Sequence, residues 1–132
     1  MKSDIRSRED IDALLTRFYE KAFADELIGF IFTDVAKLDL EHHLPIIGDF
    51  WESLLFGTKA YQKYNRNPLQ IHGALHEKTP LLPKHFRRWV EIFRATIDEM
   101  FAGEYAESAK LRAEAIANRM LNYVSRIPAA KF

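Results

Sequence analysis

Apolar side chains recur every three or four positions in segment after segment of this chain, and nowhere do they alternate with period two long enough for a strand. That pattern restricts it to packed amphipathic helices, an all-α fold. Ser7, with Asp10 three residues on, resembles a capping box in which Asp replaces the usual Glu. Ile11, Leu14, Leu15, Phe18, Tyr19 and Ala22 then mark one face of a helix running to about residue 25. Leu27 to Phe32 reads as a single helical turn closed by the polar pair Thr33–Asp34.

A second long helix is expected over roughly 40–56, with Leu40, His43, Ile47, Phe50, Leu54 and Leu55 inward and Gly57 ending it. Pro45 fits only if the helix begins near His42 or bends there. Residues 57–84 are irregular, broken by Pro68, Pro80 and Pro83, and leave room for one short helix around His72. Pro83 opens a strong helix with Phe86, Trp89, Phe93, Ile97 and Met100 on one face and Gly103 as its stop. The last helix runs from about Tyr105 to Arg126, its buried side marked by Ala109, Ala113, Ile116, Met120, Tyr123 and Val124. Its charges, Lys110, Arg112, Glu114 and Arg119, read as a solvated face.

With no linker, repeat or low-complexity run, residues 1–132 are expected to form one domain that buries a core without staples. Nineteen basic residues balance nineteen acidic ones, so no net field favours nucleic acid or an anionic membrane. The absence of cysteine removes disulfides, iron–sulfur clusters, zinc-thiolate sites and thiol nucleophiles. The stretch MKSDIRSRED lacks the apolar run of a secretory signal, and no window is long enough to span a bilayer. A soluble cytoplasmic protein is the expectation.

Donors for a metal or cofactor must therefore come from histidines and carboxylates. His42 and His43 are adjacent and point about 100° apart on a helix. His72 and His76 stand four apart, as in helical zinc pairs, but no Glu follows His72 as a metalloprotease would need. On its stripe with Leu69 and Leu75, His72 taken alone reads more readily as a core or surface histidine than as a ligand. Tyr19, His43 and Trp89 each place a polar tip on an otherwise apolar helical face, and Tyr O–H and Trp N–H seek partners when buried. Spacing by itself does not bring these groups together.

FYEKAFAD around Tyr19, the IF ending at Phe32, HLPIIGDFW from His43, NPLQIH ending at His72, HFRRWVEIFRATIDEMFAG from His85 and AKLRAEAIANRM from Ala109 follow one another over nearly the whole chain. In that order they resemble the group III truncated haemoglobins, Pro45 included. The resemblance implies a truncated globin fold, a two-over-two helical sandwich around non-covalent haem b. It implies His72 as the proximal iron ligand through Nε2, Tyr19 and Trp89 as distal residues, His43 at a distal position and Phe32 packed on the haem face. Phe50 and Phe93 are expected as core or pocket wall, and Tyr64, Arg66 and His76 stand by position as candidates for the haem propionates.

The implied function is binding of O₂, or of CO or NO, with Tyr19 and Trp89 donating hydrogen bonds to the ligand. Two alternatives stay open. One is a haem enzyme with peroxidase-like or nitric oxide-detoxifying activity, dependent on a reductase because the chain has no flavin or nicotinamide motif. The other is a haem-free helical interaction module in which the aromatic stripes are only core.

Overall fold

Every regular element of the computed structural model, which describes residues 1–64 and 67–126, is helical. Five long helices carry the fold: α1 (Arg8–Ala24), α2 (Leu40–Phe56), α3 (Pro68–Lys78), α4 (Pro83–Met100) and α5 (Glu104–Val124). Arg66, a candidate for the propionates, lies outside the described residues.

Local chemistry accounts for most helix ends. Ser7 Oγ accepts the Asp10 N–H at 3.4 Å, while the Asp10 carboxylate accepts from Arg6 N at 2.9 Å, so the box closes one residue earlier than expected. Gly57, at φ 70°, gives α2 its left-handed end and donates its N–H to Ser53 O. Asn67 Oδ1 accepts the Leu69 N–H at 3.0 Å and Pro68 takes the first position of α3, where its missing N–H costs nothing.

Two expectations need correction, and the start of α2, left open by Pro45, is decided. The turn after α1 does not stop at Thr33–Asp34. Residues 29 and 30 are helical, and a wider π-helical turn, Ile31–Val35, includes both polar residues. In α2 the helix begins at Leu40, so Pro45 lies inside it, beyond the first turn; its carbonyl accepts from Arg8 Nη2 at 3.1 Å. Gly103 does not stop α4, which ends at Met100, but starts α5.

The α5 start is completed from the far end of the chain. Asp4 accepts the N–H groups of Tyr105 at 2.9 Å and Ala106 at 2.8 Å, doing for α5 what an N-cap side chain normally does. Gly103 sits at φ 146°, and a Cβ there would collide with the Asp4 carboxylate. Ile5, next to Asp4, is fully buried and anchors this strap.

α1 packs on α2 and α4 packs on α5, and the two pairs meet through α1–α4 and α2–α5, with α3 laid against α5. This is the two-over-two sandwich of the truncated globin fold. Ala106, Ala109, Ala113 and Ala117 are buried, so small side chains form the α5 interface, whereas Ile116, Met120 and Tyr123 are only half-buried. Lys110 is not solvated as expected: its stem is buried and its ammonium pairs with Asp98 and Glu107. Among the described residues no helix is long and apolar enough to cross a membrane.

Candidate functional site

The helices do not close completely on one another. Between them lies a cavity of about 230 Å³ with predominantly apolar walls. Close-packed interiors rarely keep voids much larger than a water molecule, so a hole of this size marks a place for an apolar occupant.

Helical spacing decides which side chains reach it. α1 contributes Leu15, Phe18 and Tyr19; α2 contributes His43, Ile47, Phe50 and Trp51. α3 supplies Pro68, Ile71, His72 and Leu75; α4 supplies His85, Phe86, Trp89 and Phe93; α5 closes the wall with Ile116, Ala117 and Met120. Residues at i, i+3 or i+4 and i+7 share a helix face, which is why each helix gives three or four. Phe32, on the π-helical turn, stands edge-on to Tyr19 with ring centres 6.0 Å apart.

Tyr19, Phe32, His43, Phe50, His72, Trp89 and Phe93, singled out from the sequence, are thus brought to one space. Phe93 is sandwiched between two indoles, stacking on Trp89 at 5.3 Å and Trp51 at 4.9 Å. Leu69 is not on the cavity; Pro68 and Ile71 flank His72 there instead. His76 also faces away. It is buried, and its Nδ1 accepts the Leu81 N–H at 2.9 Å. Tyr64 does not line the cavity either: its hydroxyl donates to Asp49 at 2.5 Å.

Two polar residues on the wall, Tyr61 and His85, escaped the sequence reading. The N–H of Tyr61 donates to Ser53 Oγ at 3.0 Å and its ring stands edge-on to Phe50 at 5.1 Å, contacts that no local pattern announces. His85 had a usable signal, since it sits one turn before Trp89 on the same face of α4.

The electrostatics favour neutral groups at the wall. Tyr19 O–H and His43 Nε2 share a hydrogen bond of 3.2 Å, directed by the imidazole tautomer. Burial pushes the Tyr19 hydroxyl pKa up, so it stays a phenol. Burial lowers the His72 pKa, against a smaller opposing effect of its bond to Pro68. Asp49, behind the wall, is raised by burial but held lower by Tyr64 and Arg8, whose Nη1 lies 2.5 Å away.

Hydrogen bonding also sorts the histidine nitrogens. His72 Nδ1 lies 2.8 Å from Pro68 O, and a carbonyl only accepts, so Nδ1 carries the proton and Nε2 keeps its lone pair. His76 and His85 show the opposite arrangement. Each accepts a backbone N–H at Nδ1, from Leu81 and from Leu82 respectively, so in the neutral ring Nε2 carries the proton. Of these three imidazoles, His72 alone has a tautomer that offers Nε2 as a metal ligand. An apolar cavity with one such nitrogen on its wall suits a flat apolar macrocycle holding a metal. Among the described residues no group of three His, Asp or Glu side chains could hold a bare metal ion.

No family model matches the chain. Among curated proteins, it is 29% identical over 125 residues to the Group 3 truncated hemoglobin ctb of Campylobacter jejuni subsp. jejuni serotype O:2, covering 92% of this chain and 94% of that protein. Among solved structures, it superposes on the crystal structure of group III truncated hemoglobin from Campylobacter jejuni with a TM-score of 0.79 at 28% identity, covering 94% of this chain and 95% of the other. In sequence and in fold alike, the chain is similar to the group III truncated haemoglobins.

Proposed function

We propose that this protein binds haem b non-covalently, that His72 Nε2 would hold its iron, and that the bound haem would take a small diatomic ligand, O₂, CO or NO. The carrying observation is the His72 tautomer: Pro68 O holds the proton on Nδ1 and leaves the Nε2 lone pair for an apolar cavity. When bound, haem supplies a metal with one position left for a diatomic ligand. The likeness to truncated haemoglobins supports the same reading.

The distal groups follow from chemistry. Tyr19 O–H and Trp89 N–H are donors, and a polarised diatomic ligand accepts hydrogen bonds. Their neutral state lets both donate without placing a charge in an apolar space. His43, bonded to Tyr19, orients that hydroxyl and shares in the same network. Phe32, Phe50 and Phe93 belong to the apolar cavity wall that would hold the macrocycle. A haem-free interaction module is disfavoured by the cavity itself, because stripes serving only as core would close on one another.

The test is to add haemin to purified protein and record visible spectra of the ferric, dithionite-reduced and CO-bound forms. Wild type is expected to show a histidine-ligated b-type haem that binds CO. His72→Ala is expected to lose that spectrum and regain it with imidazole. A chain that takes up no haemin would refute the proposal, and a normal spectrum in the variant would refute His72 as the ligand.

A further inference from the structure

Haem is amphipathic. Its macrocycle suits the apolar cavity, but its two carboxylates are costly to bury without partners and must meet donors or cations where the cavity opens. Two of the residues expected to serve them are committed elsewhere: Tyr64 to Asp49, and His76 to Leu81 N–H behind the wall. Among the described residues, a partner for a carboxylate is therefore sought on the cavity wall itself.

We infer that His85, with Lys84 beside it, binds a carboxylate of the cavity's occupant, an inference that rests on the haem reading. His85 is 8% exposed and lines the cavity. Its Nδ1 accepts the Leu82 N–H at 3.0 Å, the reach-back of an N3 side chain in a capping box, so the neutral ring presents Nε2–H on its other edge. No buried side-chain nitrogen among the described residues lacks a partner, so an Nε2 with no protein acceptor must keep contact with open space.

That space lies toward the surface. The His85 ring stands edge-on to Phe30 at 6.1 Å, and Phe30 and Leu82 are 39% and 40% exposed. Lys84 is exposed, and its charge reaches the imidazole strongly enough to depress the pKa further, after burial as the larger cause. A donor backed by a cation at the edge of an apolar cavity is complementary to a carboxylate.

The experiment is the rate of haemin transfer from the holoprotein to excess apomyoglobin, run with haemin and with haemin dimethyl ester, whose carboxylates are masked. His85→Glu keeps an acceptor for the Leu82 N–H, as a Glu at N3 does, but sets a carboxylate against a carboxylate. It is expected to speed loss of haemin about tenfold and loss of the diester less than twofold. Lys84→Glu, on the surface, is expected to speed loss of haemin a few-fold and leave the diester unchanged. Equal acceleration of both forms would reduce His85 to a helix cap, and no acceleration of either would also overturn the inference. Wild type taking up neither haemin would instead refute the haem reading itself.

Discussion

The Tyr19 hydroxyl and His43 Nε2 lie 3.2 Å apart, joining α1 to α2 across the cavity wall. Because both belong to one network, loss of the hydroxyl removes a donor and also the partner that orients His43. Tyr19→Phe is expected to speed release of O₂ from the reduced haem protein by about two- to tenfold, the range for one neutral hydrogen bond. Trp89→Phe is expected to act similarly. Ligand replacement by CO in a stopped-flow instrument reads both rates, and unchanged rates in both variants would remove these residues from the ligand's surroundings.

His76 offers a control for the iron assignment. Its Nδ1 is taken by Leu81 N–H, and it does not reach the cavity. His76→Ala is expected to keep the wild-type haem spectrum while losing about 1–3 kcal/mol of stability, because a buried N–H is left unpaired. Spectra and denaturant unfolding on one preparation check the two halves separately.

Phe93 is 1% exposed and stacks between Trp51 and Trp89. Truncation leaves both indoles without a face to pack on. Phe93→Ala is expected to cost about 3–5 kcal/mol, measured by urea unfolding of the haem-free chain. A cost near zero would show that the helices collapse into the gap.

Asp4 predicts an acid dependence of stability. Burial raises its pKa, but N–H bonds from Tyr105, Ala106, Ile5 and Glu104 outweigh that, so it lies below the ordinary carboxylate value of 3.8. A folded-state pKa below the unfolded one stabilises fully above the unfolded value, and the stabilisation disappears as pH falls through the folded value. Asp4→Ala is expected to lower stability by about 1–2 kcal/mol at neutral pH. In thermal melts the gap between the two proteins should narrow as the pH falls below about 4. A gap that stays constant over that range would mean the carboxylate's charge is not what caps α5.

By itself the sequence determined the helices, and much of the membership of the site. Proline at the first position of α3 and α4, Gly57 after α2 and apolar spacing within each segment act between near neighbours, so their effect is written locally. The same spacing put His72 on a short helix and Tyr19, His43 and Trp89 on apolar faces. Only the tertiary structure decided which groups meet. Asp4 caps α5 across 101 residues, Asp49 draws Tyr64 from the cavity while Tyr61 enters it, and Phe93 slots between indoles from two helices. The turn before α4 hands Leu81 N–H to His76 and Leu82 N–H to His85, while Pro68 O, one turn back in α3, accepts from His72 Nδ1. Several side chains of equal chemistry compete for each such partner, and the choice depends on the packing energy of the whole fold rather than on any residue's neighbours in sequence.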